Sequence, residues 1–280
     1  MEKPGQALGD AIGEGYAAAM SARYDADFEA IFGGPDRGDL DFFRAIAASA
    51  GGPIAEIGAG TGRVALAVAD AAAGEAVVGV EPSEGMRAAF EARLAAADPR
   101  LSARVCARAG TFASAPLPDA SQALVYSAFR SFQHLLSPDE QLAGLVEMRR
   151  ALRPGGTVAI DLFDPDYRLL HDAEPFLVAR YPRAGGGTIE RYDSRRILRA
   201  EQLVEVGFRW IERDARRRVV ADERGSYRIR YTFPYELVHL VARAGFADVA
   251  LFGDYDGSPL GDDPRELVLV AKRPGAKPAA

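Results

Sequence analysis

The run Ile54-Ala55-Glu56-Ile57 passes without a linker into Gly58-Ala59-Gly60-Thr61-Gly62 and then into an alanine-rich stretch that starts at Arg63. No other part of the chain constrains its fold as much. The apolar run is a strand that carries a carboxylate to its end. Three alternating glycines then let the backbone bend and approach a ligand without a Cβ in the way, and the helix that follows opens with unpaired N–H groups. A strand, a glycine turn and a helix in this order form a ligand-binding turn.

The pattern around it is that of a parallel sheet covered by helices. Strand-like runs at 54–57, 76–81, 102–106, 123–127 and 157–162 alternate with helix formers at 63–73 and 83–97. A further helix follows Ser137-Pro138, where Leu142, Leu145, Val146 and Leu152 recur at helical spacing. Arg153-Pro154-Gly155-Gly156 stops that helix and reverses the chain into the next strand. Upstream, residues 5–50 read as helical, with Tyr16, Met20, Tyr24, Phe28 and Phe32 at four-residue spacing. Packing is the plain reading for Tyr16 and Met20, whereas Tyr24, beside Asp25 and Asp27, suits a lid. Downstream, Val204, Val206, Phe208 and Trp210 alternate with polar residues, as do Tyr227, Ile229, Tyr231 and Phe233. These are half-buried antiparallel strands. A helix at 235–244 and strands at 247–252 and 266–272 follow. The expected organisation is a helical cap (1–50), a core (51–175 and 233–272), an antiparallel insertion (176–232) that covers a substrate, and a disordered tail (273–280).

Composition narrows the function. With 280 residues, 48% of them hydrophobic, the chain can bury a substantial core. A net charge of −6 argues against a general nucleic-acid or membrane-surface partner. Residues 184–232 carry twelve arginines against eight acids, read either as a funnel for an anionic substrate or, more plainly, as the solvent face of twisted strands. The single cysteine, Cys106, allows no disulfide framework, and no His/Cys/Asp/Glu set has metal-ligand spacing, so no metal is expected. Without a signal core or a spanning run, a cytoplasmic protein is expected, as monomer or dimer.

Two cofactor classes use such a turn: dinucleotides and S-adenosylmethionine. A dinucleotide site needs a small third residue in G-x-G-x-x-G/A, but Arg63 stands there, and Glu56 would repel a diphosphate. A carboxylate before the glycines suits a ligand with an ammonium group.

The stretch 56–62 resembles motif I of the class I S-adenosylmethionine-dependent methyltransferases, D/E-x-G-x-G-x-G. Val78-Gly79-Val80-Glu81-Pro82-Ser83 is similar to that family's second strand, and Leu152-Arg153-Pro154-Gly155-Gly156 to the turn before its fifth. The resemblance spans roughly residues 24–272 and implies a Rossmann-like α/β fold, with a seven-stranded, mostly parallel sheet of order 3-2-1-4-5-7-6. It implies that Glu56 meets the methionyl ammonium, that Gly58, Ala59, Gly60 and Gly62 pass beneath the cofactor, and that Glu81 accepts from the ribose hydroxyls. Pro82, Met86, Thr111, Phe112 and Ser127 would complete the cofactor site. Where the family places an aspartate for the adenine amino group, this chain has Gly110-Thr111-Phe112.

The segment 127–135 resembles the N-S-F/L-x-H-L stretch of glycine N-methyltransferase-like and amino-sugar N-methyltransferases, with Arg130 in place of the asparagine. His134 in it is either a general base or a structural histidine. With Tyr24, Phe28, Phe163, Arg191 and Tyr231, Arg130 is a candidate for holding the acceptor. The expected activity is methyl transfer to a nitrogen or oxygen of a small molecule. The alternatives are an NAD-dependent dehydrogenase and a non-catalytic cofactor-binding module.

Overall fold

The computed structural model describes residues 14–34, 37–72, 74–166, 168 and 170–275, and side-chain environments from Met20 onward. The start of the N-terminal helical stretch, the side chain of Tyr16 and most of the expected tail lie outside them. In chain order the elements begin with α1 (Glu14–Phe32), α2 (Asp39–Ala48), β1 (Ile54–Ile57), α3 (Arg63–Ala71), β2 (Val77–Val80) and α4 (Glu84–Ala96). The one-turn α5 (Pro99–Ser102), β3 (Val105–Arg108), β4 (Gln122–Ser127), a 3-10 turn (Ser131–His134), α6 (Pro138–Ala151) and β5 (Leu152–Leu162) follow. Then come β6 (Ala173–Pro182), β7 (Thr188–Leu198), β8 (Leu203–Arg213), β9 (Val219–Arg230), α7 (Pro234–Arg243), β10 (Ala247–Phe252) and β11 (Leu267–Lys272). They fall into two compact units, Met1–Arg37 with Pro165–Tyr231, and Gly38–Asp164 with Thr232–Ala280.

The second unit holds a seven-stranded sheet of order β10-β11-β5-β4-β1-β2-β3. Five strands run parallel, β11 lies antiparallel to β5, and β10 antiparallel to β11. Without the four strands of the other unit, this is the expected order 3-2-1-4-5-7-6. Every residue of β1 and β4 is buried, which is why these strands read as continuous apolar runs. On one face, Phe43, Val64, Val68 and Phe90 pack with Ile54, Leu124 and Tyr126. Ser83 and Ser137 cap α4 and α6 by accepting from the Met86 and Glu140 amides.

Two strand starts of this sheet differ most from expectation. The third strand is Val105–Arg108 rather than 102–106, because Asp98 accepts from the Arg100 amide at 2.8 Å and starts a helical turn at Pro99. The fifth strand begins at Leu152 rather than 157: Gln122 pairs with Leu152 and Leu124 with Thr157, so Arg153–Gly156 bulge out between them, with Gly155 at φ +78°.

In the first unit, β6 to β9 form an antiparallel meander. Phe208 and Trp210 are buried, and their rings lie 4.6 Å apart. Gly225 pairs with Phe208, and a Cβ there would come within 2.3 Å of the ring. Helix α1 is fastened to this sheet. Arg23 bridges Glu212 and Glu223, each at 2.8 Å, and Asp27 accepts from Tyr181 Oη (2.6 Å), Trp210 Nε1 (2.9 Å) and Arg191 Nη1 (2.9 Å). Among the described residues no helix is long and apolar enough to cross a membrane.

Candidate active site

The three glycines of the turn after β1 have positive φ, +78° at Gly58, +54° at Gly60 and +77° at Gly62. The outer two are also held by packing. A Cβ on Gly58 would lie 2.5 Å from Ser131 Cβ, and one on Gly62 would lie 2.1 Å from the Phe90 ring. Gly60 has nothing within 4 Å of a built Cβ, so the space above the middle of the turn is open. The amides of Gly58 and Ala59 both donate to the Val80 carbonyl, at 2.8 and 3.1 Å, and Gly60 N–H donates to Glu81 Oε2 at 2.9 Å.

Glu81 stands at the end of β2, only 8% exposed. Its Oε1 accepts from the Ser83 amide at 2.9 Å. Burial raises its pKa, against the pull of the Ser83 and Gly60 amides. Each carboxylate oxygen thus keeps a lone pair, the arrangement needed to accept from two neighbouring hydroxyls of a ribose. Pro82 is exposed, while Met86, one turn into α4, is buried.

Glu56, 2% exposed, accepts from Tyr126 Oη at 3.1 Å. Burial pushes its carboxyl up to about 8, a rise that the Tyr126 bond and the nearby Arg63 oppose. Arg63 is already engaged, since both its terminal nitrogens bond the carboxylate of buried Asp39 at the start of α2. The position that excludes a dinucleotide turn is therefore the one that ties α3 to α2. A cation brought beside Glu56 would restore its charge. An amine for Glu56, a vicinal diol for Glu81 and an open glycine turn between them fit S-adenosylmethionine.

The remaining expected cofactor residues lie in the same unit. Thr111 is closed into a small turn with Ser114, the two amides and carbonyls exchanging bonds at 3.2 and 3.3 Å. Phe112 is buried edge-on to Phe132, with centroids 5.7 Å apart. Ser127, at the end of β4, is fully buried, and its hydroxyl has no hydrogen-bond partner among the described residues.

After β4, Phe129 and Arg130 both take left-handed backbone, at φ +51° and +65°. The 3-10 turn follows, and Ser131 Oγ donates to the Gly58 carbonyl at 2.9 Å. Part-buried His134 ends this turn. Arg130 pairs with buried Glu266 at 3.1 Å, and its guanidinium carbon lies 5.6 Å from the centre of the Phe163 ring. The Phe163 amide donates to Gln133 Oε1 at 3.1 Å.

Tyr24, Phe28, Arg191 and Tyr231 belong to the other unit. Tyr24 is half-buried on α1, Phe28 is buried against Phe32 (centroids 4.9 Å apart), and Tyr231 is buried with its amide bonded to the Gln202 carbonyl. The guanidinium of Arg191 is directed to Asp27 and, through two bonds of 2.9 and 3.2 Å, to Asp193. Sequence reasoning passed over Tyr126, Ser131, Asp161 and Tyr255. Asp161 carried a usable signal, since it is a carboxylate near the end of an apolar strand, as Glu56 and Glu81 are.

Residues 54–156 match a protein family described as "Methyltransferase domain". Among solved structures, the chain resembles the CcbJ methyltransferase from Streptomyces caelestis, with 25% identity, 93% of this chain and 98% of that one covered, and a TM-score of 0.75. It shares its fold with an S-adenosylmethionine-dependent methyltransferase from Clostridium acetobutylicum (12% identity, 92% and 100% covered, TM-score 0.73). The fold is also that of CalS10 from Micromonospora echinaspora, an amino pentose methyltransferase solved with S-adenosylmethionine bound (19% identity, 98% of each chain covered, TM-score 0.62). No curated protein matches the chain. The matched domain, the sheet order and the acid-flanked glycine turn agree: residues 54–156 carry a methyltransferase domain, set in the fold of S-adenosylmethionine-dependent methyltransferases.

Proposed function

We propose that this methyltransferase acts on a nucleophilic nitrogen or oxygen of a small-molecule acceptor. The observation that carries the reading is the likeness to CcbJ, which extends over 93% of the chain and so takes in both units. CalS10 and KedS8, described as an amino pentose and a sugar N-methyltransferase, share the fold and point to the same substrate class.

In this reading Glu56 holds the cofactor's amine, and Gly58, Ala59, Gly60 and Gly62 present backbone beneath it. Glu81 accepts from the ribose, while Pro82, Met86, Thr111 and Phe112 border the base and Ser127 offers its hydroxyl. When bound, S-adenosylmethionine supplies a methyl carbon on a positively charged sulfur, open to in-line displacement. The protein's part is alignment of the attacking atom with that carbon. His134 is the candidate to take the proton that the nucleophile gives up. Arg130 and Phe163 border the acceptor; with Glu266 already neutralising Arg130, its role is a shaped wall rather than a free cation. Tyr24, Phe28 and Tyr231, in the unit of the four-stranded sheet, are the further candidates to meet the acceptor, and Arg191 positions α1. The setting is cytoplasmic, with no nucleic-acid partner.

Calorimetry with S-adenosylmethionine, S-adenosylhomocysteine and NAD tests the cofactor assignment; binding of NAD in preference to the other two would overturn it. Incubation with a panel of amino sugars, amino acids and phenols, read by mass spectrometry for one added methyl, tests the acceptor class. Methylation of RNA or protein, with none of the small molecules modified, would refute the proposal.

A further inference from the structure

Asp161 is a fully buried carboxylate to which the reading above gives no task. It lies near the end of β5, beside the loop that leaves β4. Its Oδ2 accepts from Tyr255 Oη at 2.5 Å, and its Oδ1 accepts from the Arg130 amide at 2.9 Å. The Phe129 amide donates to it as well. These two amides belong to the residues that take left-handed backbone, a conformation that costs a side-chain-bearing residue on the order of 1–3 kcal/mol and persists only when its surroundings impose it. The next residue, Ser131, bonds the Gly58 carbonyl and fills the space that a Cβ on Gly58 would need. A second fastening comes from just ahead of β11, where Glu266 grips the Arg130 side chain.

We propose that Asp161 is a positioning residue: held by Tyr255, it latches the strained Phe129–Arg130 turn so that Ser131 to His134 lie against the glycine turn ready for the cofactor. The carboxylate acts through backbone amides and touches neither substrate nor cofactor. Burial raises its pKa, and the Tyr255 and Arg130 bonds oppose that rise. Part of this inference rests on the cofactor reading above, and the experiment separates the two.

Hydrogen exchange by mass spectrometry on the full chain, without cofactor, is compared for wild type, Asp161→Asn, Tyr255→Phe and the control Thr232→Val, which removes a buried hydroxyl bonded to Gln141. Exchange over residues 129–134 is expected to speed up about tenfold in Asp161→Asn, which keeps one acceptor oxygen where the carboxyl has two, and less in Tyr255→Phe. Thr232→Val should lower thermal stability without this local change. Affinity for S-adenosylhomocysteine should fall about tenfold in Asp161→Asn, because only the latched fraction binds. If Asp161→Asn and Tyr255→Phe lower thermal stability as Thr232→Val does but leave exchange at 129–134 within about twofold of wild type, the proposal is wrong. Failure of the wild type to bind S-adenosylhomocysteine would overturn the cofactor reading instead, and the exchange result would still decide the latch.

Discussion

The two units treat buried charge in opposite ways. In the four-stranded sheet and α1, the fully buried Asp27 and Arg191 face each other at 2.9 Å, and Glu190 meets Arg180 and Arg213. Along the carboxyl ends of the parallel strands in the other unit, Asp39 has Arg63 and Glu266 has Arg130, but Glu56, Glu81 and Asp161 are buried with only uncharged donors. Burial raises the pKa of all three. A balanced pair is a fastening. Glu56 and Glu81, outside any ion pair, keep acceptor capacity for something that arrives later, whereas Asp161 spends its own on the Phe129–Arg130 turn.

The sharpest way to break the comparison is Asp27→Ala, which takes from the Arg191 guanidinium one of its two acidic partners and leaves Tyr181 Oη and Trp210 Nε1 without their acceptor. Loss of one partner from a buried pair costs about 3–5 kcal/mol, so chemical denaturation should reveal a large drop in stability. A loss below about 1 kcal/mol would mean that the balanced network is not a fastening. Next in size, Glu81→Ala removes a charged acceptor for two hydroxyls. Cofactor affinity should fall at least about a hundredfold by calorimetry, from two bonds worth about 1.5–3 kcal/mol each, with an unchanged circular dichroism spectrum. Unaltered binding would end the ribose assignment.

Glu56→Gln sharpens the contrast because its expected sign is reversed. The carboxyl of Glu56 titrates near 4.5 when unfolded and at about 8 when folded. Between those values the folded state binds more protons than the unfolded state, so stability without cofactor falls as pH rises through that window. The variant should flatten this dependence and gain about 1 kcal/mol at pH 8, while binding the cofactor more weakly. Calorimetry in buffers of different ionisation enthalpy should also show wild type releasing a proton on cofactor binding near pH 7. The smallest effect belongs to Arg228→Ala, at an exposed pair with Glu205; less than about 1 kcal/mol is expected.

Much of the second unit was legible because its signals are local. Fully buried strands read as apolar runs, and the glycines stand where positive φ and close packing against Ser131 and Phe90 require them. Strand ends were less legible: the Asp98 cap and the Arg153–Gly156 bulge are local events that an apolar count overlooks. Side-chain commitments were hidden altogether. Arg191 looked like a pocket residue by alternation, yet Asp27, 164 positions earlier, takes one of its donors. Arg63 looked merely out of place in a dinucleotide motif until Asp39 supplied the reason. Asp161 needed Tyr255, 94 positions later, to acquire a role.

The fastening of α1 also has a consequence in time. Asp27 is synthesised early, but Tyr181, Arg191 and Trp210 follow it by 154, 164 and 183 residues. At the usual pace of translation, about 5–20 residues per second, the helix waits roughly 10–40 s for its partners to leave the ribosome. During that interval its carboxylate must remain hydrated and its apolar stripe uncovered. The first unit is thus begun first and completed late, after the parallel strands β1 to β5 have all been made, which makes α1 the segment of the nascent chain most in need of shelter.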